Sequence, residues 1–287
     1  MGVIVAANTG YTLYGNLIDT ATVSASSQLI PVYNLKNMQP GKVWRASGCV
    51  EETVTVDLGS KQFVDAFAVV NQNMNGRGTI RVQFATDAGF TDVLFDETKR
   101  AIMPEAGLGY DPFGWSLGGY PRMDDPQRNQ AIRTFLAPKK LKGRYTRFTF
   151  KNPTLAAGYI QAGRLFVGRQ YIDEYGFEAG WSYTWNDPSQ ISDTERSIFT
   201  VSRPRFRLMN GKFPAMSPEA AFGAMDRMKK QLGKSKDLIV SAFPEDQWSA
   251  QRAYATSIYG VLSETAATGN PFFERFDTTL SARELVP

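Results

Sequence analysis

The 287-residue sequence predicts a mainly β protein, with an N-terminal β-sandwich followed by a second β-sandwich-like domain that contains one α-helix. Short runs of alternating or β-branched residues recur along the chain between turn residues, and only one segment has helical periodicity. The 25 Gly, 15 Pro and 13% aromatic residues also favour turns and strands. Because domains usually span roughly 100 to 200 residues, the length predicts two domains.

The first predicted domain covers residues 1–170. After a segment at 43–47 that contains Trp44, two alternating runs at 53–59 and 64–73 outline the first half of a β-sandwich that presents loops at one end. Further strand-like runs follow at 79–85, 145–150 and 160–168, and the last two are typical of a closing hairpin.

Residues 101–138 are predicted to be a long aromatic loop within this domain. Connections of this length without periodicity are usually functional or ordered by a partner, so we expect a contact surface here. The candidate interaction residues of this loop are Tyr110, Phe113, Trp115 and Tyr120. Their rings could stack on sugars, pack beneath the loop or contact another chain, and the last two alternatives are favoured because aromatic residues dominate interface anchors.

The second predicted domain covers residues 171–287. Strands are predicted at 180–185, 197–202, 203–208, 238–242, 253–261 and 272–278. A helix is predicted over 218–232, capped by Ser217 and ended by Gly233. Its apolar stripe is predicted to be buried and consists of Phe222, Met225, Met228 and Leu232.

Three arginines in the second domain form a candidate oligomer interface. Arg203, Arg205 and Arg207 alternate along one predicted strand, so they would line one face and could meet acidic groups of a neighbouring subunit. The alternative is a solvated face. The two domains also differ in charge, with 19 Lys and Arg against 13 Asp and Glu in residues 1–170, and 13 against 15 in residues 171–287.

The composition argues against several functional classes. The chain has no histidine, which is the commonest general base near neutral pH and the commonest metal ligand, and Cys49 is its single cysteine. The acidic pairs Glu51–Glu52 and Asp124–Asp125 would point to opposite faces of a strand and are expected to be solvated. We therefore expect no enzyme activity, no cofactor and no metal, and a hydrolase is the least favoured hypothesis.

Two partner classes are not expected from the sequence. No apolar stretch reaches the roughly 18 residues that a membrane-spanning helix needs, so no membrane segment is predicted. The basic cluster at 139–144 has no accompanying recognition helix or RNA-binding signature, so nucleic acid is not expected as a partner.

Residues 43–168 resemble the discoidin or galactose-binding jelly-roll found in many phage tail proteins. The resemblance is carried by the Trp-Arg-Ala-Ser segment at 44–47, Thr-Val-Asp-Leu-Gly at 55–59, Val-Val-Asn-Gln-Asn at 69–73 and Arg-Tyr-Thr-Arg at 144–147. It implies a jelly-roll as the N-terminal sandwich. In phage relatives the Asn-rich element often reads His-Asn, whereas this chain has Gln72-Asn73.

The order of the parts resembles that of tail-tip, or baseplate, proteins of long-tailed non-contractile phages, and within them the distal tail proteins. The resemblance implies a virion structural protein, made in the host cytoplasm, whose belt-like second domain forms a hexameric ring. The implied partners are copies of the chain itself, the tail tube protein, the baseplate hub protein and tail fibres. The alternative hypothesis is a soluble carbohydrate-binding module that holds a glycan through Tyr110, Trp115 and neighbouring loops.

Overall fold

The computed structural model describes residues 10–102, 132–194, 197–243, 253, 255–265 and 267–287. The predicted mainly β fold class is confirmed within these residues, since antiparallel strands dominate and one longer helical segment is present. The strands up to residue 172 are β1 (Tyr11–Tyr14), β2 (Thr22–Ala25), β3 (Trp44–Arg45), β4 (Glu52–Val70), β5 (Thr79–Ala85), β6 (Val93–Arg100), β7 (Ile132–Lys151), β8 (Gln161–Ala162) and β9 (Arg164–Ile172). Two 3₁₀-helices, Leu17–Asp19 and Val32–Lys36, lie between them.

The sandwich is built on two long strands that pair along most of their length. β4 pairs with β7 antiparallel, and the register shifts between Asp57 and Gln62. One end of this ladder also pairs with β2 and β5, and the other end pairs with β9. Side chains from both ends share one core, including Val54 and Phe67 of β4. The runs expected at 53–59 and 64–73 therefore lie in one continuous strand up to Val70, and residues 71–73 follow it. Both ends of β4 contribute side chains to the same core.

The predicted loop at 101–138 is too long at its C-terminal end. Residues 132–138 belong to β7, and Ile132 to Leu136 pair with Val70 to Ala66 of β4. The sequence here alternates less clearly than at 145–150 because this end of β7 is buried on both faces, and even its polar residues Arg133 and Thr134 are buried.

The second half of the chain continues the same sheet. Its strands are β10 (Ser182–Asn186), β11 (Gln190–Thr194), β12 (Ser197–Val201), β13 (Phe206–Met216), β14 (Asp237–Ser241), β15 (Ser257–Glu264), β16 (Thr268–Phe272) and β17 (Arg275–Glu284). β1 pairs with β9 of the sandwich on one side and with β14 on the other. The N-terminal strand thus links the two halves, and the division of the chain at residue 170 stays a prediction.

The helical segment starts as a π-helix at Glu219–Met225 and continues as α-helix α1 at Asp226–Leu232. The Ala220 amide donates to the Ser217 Oγ at 3.2 Å. The expected burial of Phe222 is wrong: its side chain is 61% exposed, and Ala221 is buried instead. The wider π-helical turn explains the difference, because it rotates the first part of the segment out of the 3.6-residue register. Met225, Met228 and Leu232 are buried as predicted.

A buried ion network joins the two halves. The Arg164 Nε donates to the Asp237 Oδ2 at 2.9 Å, and its second terminal nitrogen donates to the Asp19 Oδ1 at 2.6 Å. The Tyr259 hydroxyl donates to the same Asp237 oxygen at 3.2 Å. Arg164 and Asp237 are both almost fully buried. Since such groups are stable inside a protein only when paired, this network fixes β9 of the sandwich to β14 and β15.

Candidate functional site

Exposed large apolar side chains are concentrated in the second half of the described chain. Five lie in the first half, and nine lie in the second half. Those in the second half are Tyr175, Tyr183, Trp185, Ile191, Phe199, Val201, Phe222, Phe272 and Phe273. Because apolar surface clustered on a soluble protein usually marks an interaction site, this half holds the candidate contact surface.

One part of this surface consists of residues 187–194 and 197–205, which we call the arm. Within it β11 and β12 pair with each other and, among the described strands, with no other. Ser192 lies opposite Phe199, and Ile191 lies opposite Thr200, so the hairpin presents apolar side chains on both faces. Ile191 is 72% and Phe199 60% exposed. A two-stranded hairpin of this kind is marginally stable in water by itself, so a covering surface would stabilise it.

Hydrogen bonds hold the base of the arm. The Arg205 Nε donates to the Asp187 Oδ2 at 2.9 Å, and the Ser189 amide donates to the Asp187 Oδ1 at 3.0 Å. Across the base, the Arg203 amide donates to the Ser189 Oγ at 2.9 Å. The hydrogen bonds from Ser189, followed by that from Arg205, lower the pKa of Asp187 below its usual range. The arm therefore leaves the sheet at a defined point.

Strand β10, next to the arm, lies at an edge of the sheet. It pairs with β13 and, among the described strands, with no other, and all five of its residues are exposed. Tyr183 and Trp185 project from one face of this strand. Natural edge strands are usually protected against pairing by charged residues or proline, and β10 contains neither. Among the described strands, its outer edge is unpaired.

The second apolar feature is the turn between β16 and β17, residues 272–275, which we call the tip. Phe272 is 73% and Phe273 89% exposed. Glu274 has a positive φ of 54°, which is uncommon for a residue other than glycine and defines a tight turn. Nearby, the rings of Phe222 and Phe276 pack edge to face with centroids 4.7 Å apart. The tip thus presents two adjacent phenylalanines at the end of a hairpin.

The predicted row of three arginines is wrong. Arg203 and Arg205 precede β13 and are exposed, whereas Arg207 lies inside the strand and is buried. The Arg207 guanidinium donates to the Glu284 Oε1 at 2.6 Å and to the Ser257 carbonyl at 3.0 Å. The physical reason is that a buried carboxylate on β17 requires a cationic partner. An interface role for Arg203 and Arg205 stays a prediction.

The other sequence-predicted residues have different outcomes. Tyr110, Phe113, Trp115, Tyr120 and Asp124–Asp125 lie outside the described residues. Glu51 forms an ion pair with Lys151 at 2.9 Å, whereas Glu52 is buried and accepts hydrogen bonds from the hydroxyls of Ser26 and Ser27. The expectation that Glu52 is solvated is wrong, because two hydroxyl groups satisfy its carboxylate inside the sandwich.

The Asn-rich element lies in a polar group at one end of the sandwich, which we call the loop cluster and which comprises Arg45, Asn73, Tyr159 and Gln161. The Asn73 Nδ2 donates to the Tyr159 carbonyl at 3.0 Å, and the Gln161 amide donates to the Asn73 Oδ1 at 2.9 Å. The Arg45 guanidinium lies 4.1 Å from the centre of the Tyr159 ring. Asn73 therefore holds two loops in a fixed arrangement, with an Arg–Tyr stack beside it.

Two further observations concern the described residues. None of their helices is long and apolar enough to cross a membrane. They contain no group of three or more Cys, Asp or Glu side chains arranged to hold a metal ion.

Neither a protein-family model nor a curated protein sequence matches the chain. Similar solved structures include the lectin domain of lectinolysin complexed with Lewis B antigen, which is 14% identical, covers 54% of this chain and 96% of its own, and has a TM-score of 0.37. A chitosan-binding module from a chitosanase/glucanase of Paenibacillus sp. IK-5 is 15% identical and has a TM-score of 0.36. The match covers 54% of this chain and 100% of the module.

A fucose-binding module of Streptococcus pneumoniae is 12% identical and has a TM-score of 0.36. The match covers 54% of this chain and 96% of the module. The three structures are carbohydrate-binding modules by their names. Each is similar to about half of this chain. At these TM-scores the likeness carries no argument about what this chain binds.

Proposed function

We propose that this chain is a structural protein that acts by binding, and that its second half assembles with copies of itself. The observation that carries the proposal is the exposure of large apolar side chains in the arm, in β10 and in the tip. Leaving this much apolar surface in water costs free energy, about 25 cal/mol per Å² of apolar area. Assembly removes the cost because the same side chains become buried between subunits.

The assembly is proposed to be a ring at the tip of a phage tail, as in distal tail proteins. In this proposal the second half forms the ring between the tail tube and the baseplate hub, and the sandwich projects toward neighbouring proteins or fibres. The segments quoted from residues 43–168 and the order of the two parts support it. A ring protein needs cohesive surfaces and no catalytic group, and the chain lacks histidine.

The experiment is the mass and shape of the purified protein, measured by light scattering after size exclusion and by negative-stain imaging of the same peak. We expect closed rings, or rings that form as the concentration rises. A chain that stays monomeric at every concentration would contradict self-assembly. Rings that do not bind a tail tube or hub protein in a pull-down would retain self-assembly and contradict the phage tail assignment.

A second candidate function is glycan recognition by the sandwich. It is favoured by the loop cluster, in which a held Asn73 and the stack of Arg45 on Tyr159 give a rigid polar and aromatic surface. Sugar sites combine ring stacking with a few fixed hydrogen-bonding groups, and this cluster supplies both. The aromatic residues Tyr110 and Trp115 would be added to it in this hypothesis.

Binding to a glycan array tests this second function. We expect Tyr159→Ala and Trp115→Ala each to reduce binding strongly, and Phe63→Ala, which removes an exposed ring elsewhere on the sandwich, to leave it unchanged. Absence of binding to any glycan by the unmodified protein would contradict glycan recognition. The two functions are independent, because one uses the sandwich and the other the second half.

A further inference from the structure

The second half carries two apolar surfaces that differ in form. The arm consists of two paired strands, β11 and β12, with exposed apolar side chains on both faces. The tip is a tight turn that ends in Phe272 and Phe273. They come from separate parts of the chain. Among the described strands, β11 and β12 pair only with each other, whereas β16 pairs with β17. Any proposed assembly therefore has to bury both apolar surfaces.

We propose that the arm of one copy docks on the tip of the next copy, so that the chain assembles head to tail through these two surfaces. This inference rests on the proposed self-assembly and names its contact. A contact of two arms would leave the tip exposed, whereas a contact of arm with tip covers both surfaces in every copy. Head-to-tail contacts of this kind close into a ring when the rotation between copies allows it, whereas a two-fold exchange of arm and tip would give a closed dimer. The mass of the unmodified protein, a ring and not two chains, distinguishes the two arrangements.

The charges favour the same arrangement. Arg203 of the arm and Glu274 of the tip are exposed, and within the described residues neither side chain has an ion-pair partner. In the proposed contact Arg203 faces Glu274, so that opposite charges meet. A two-fold contact of two arms about an axis near Arg203 would instead oppose like charges.

The edge of β10 adds to this contact. It adjoins the base of the arm and offers unpaired backbone groups beside Trp185. β16 pairs with β17 and, among the described strands, with no other. In the proposed contact, β10 and β16 each contribute an edge that is unpaired among the described strands, and these two edges can pair across subunits.

Mixing two single variants tests the proposal. Phe199→Asp places a charge on the apolar surface of the arm, and Phe273→Asp places one on the apolar surface of the tip. Val50→Asp is the matched control, because Val50 is an exposed apolar residue of the sandwich. Alone, each of the first two variants is expected to have the mass of one chain at a concentration at which the unmodified protein forms rings. An equimolar mixture is expected to give the mass of two chains, because one variant retains its tip and the other its arm.

The outcomes separate this inference from the proposed function. If the unmodified protein forms rings and either variant still forms them, or if the mixture stays at the mass of one chain, the head-to-tail contact is wrong and self-assembly stands. If the unmodified protein is monomeric at every concentration, both are wrong. Circular dichroism of each variant shows that it is folded, which we expect because Phe199 and Phe273 are exposed.

A charge exchange gives a second test. Arg203→Glu is expected to raise the concentration of half-assembly by about tenfold, and Glu274→Arg is expected to do the same. A chain that carries both changes restores the opposite charges across the contact and is expected to recover most of the loss. A double variant that assembles no better than the single variants would contradict the contact of Arg203 with Glu274.

Discussion

The two halves of the chain place their large side chains differently. In the sandwich, Trp44, Phe148 and other large rings are fully buried in one core. In the second half, Trp185 and Phe199 are exposed. Charged groups are buried in both halves, for example Arg164 in the sandwich and Arg207 in the second half. The difference therefore lies in the exposed apolar side chains, and in the proposed assembly a partner covers those of the second half.

The largest expected effect tests how the two halves are joined. Arg164→Met removes the cation from the network that links Asp19, Asp237 and Tyr259, and leaves Asp237 buried without it. We expect the free energy of unfolding to fall by about 3 to 5 kcal/mol. Arg81→Met is the control, because the pair of Arg81 with Asp96 is exposed and should cost less than about 1 kcal/mol. Urea unfolding of both variants checks this, and equal effects would contradict it.

Substituting one tryptophan in each half compares the stability that a large ring contributes to the two halves. Trp44→Ala removes a fully buried ring whose Nε1 donates to the Ser27 carbonyl at 3.1 Å, and should cost about 3 to 5 kcal/mol of unfolding free energy. Trp185→Ala removes a half-exposed ring and should cost about 1 kcal/mol or less, while weakening assembly. Thermal unfolding and light scattering of both variants measure the two effects. A stable Trp44→Ala protein would contradict the description of the sandwich core.

The arginines at 205 and 207 give a comparison within one strand region. Arg207→Met leaves Glu284 buried without its cation, so we expect a clear loss of stability. Arg205→Met removes an exposed pair with Asp187 and should leave the unfolding midpoint almost unchanged. Chemical unfolding of the two variants distinguishes a buried structural arginine from an exposed one. If both variants unfold alike, the placement of Arg207 is wrong.

The smallest expected effects are on the pH dependence of the unfolding free energy, and they have opposite signs for Asp57 and Asp173. The hydrogen bond from Arg144 lowers the pKa of Asp57 in the sandwich, so its contribution to stability is present above about pH 4 and is lost as the pH falls. Burial raises the pKa of Asp173, so the native state binds its proton more tightly and loses stability as the pH rises above about 4.

The matched variants are Asp57→Asn and Asp173→Asn, unfolded in urea across a range from about pH 3 to 7. Relative to the unmodified protein, Asp57→Asn should be less stable at neutral pH and nearly equal at low pH. Asp173→Asn should gain relative stability as the pH rises. The same pH trend for both variants would contradict the stated environments.

The sequence predicts elements well where one face is buried. The alternating run at 145–150 lies within β7, and Met225, Met228 and Leu232 are buried in the helical segment. Prediction fails where long-range contacts decide the outcome. Phe222 fits the helical period but is exposed by the π-helical turn, and the positions of Arg207 and Glu52 depend on partners distant in sequence.

The sequence predicts only part of the candidate contact surface. The alternation of Arg203 and Arg205 indicates an interface, whereas the patterns at 197–202 and 272–278 predict ordinary strands. The available signals were the adjacent Phe272 and Phe273 before a charged turn, and apolar residues on both faces of the hairpin at 190–201. These patterns also occur in buried strands, so exposure had to be seen in the structure before they could be interpreted as a surface.

Amide hydrogen exchange of the unmodified protein at low and high concentration tests the contrast between the halves most directly. If the second half is completed by other copies, protection should increase with concentration in β10, the arm and the tip, and stay unchanged in the sandwich. An exchange pattern independent of concentration, or an increase in protection confined to the sandwich, would contradict the account.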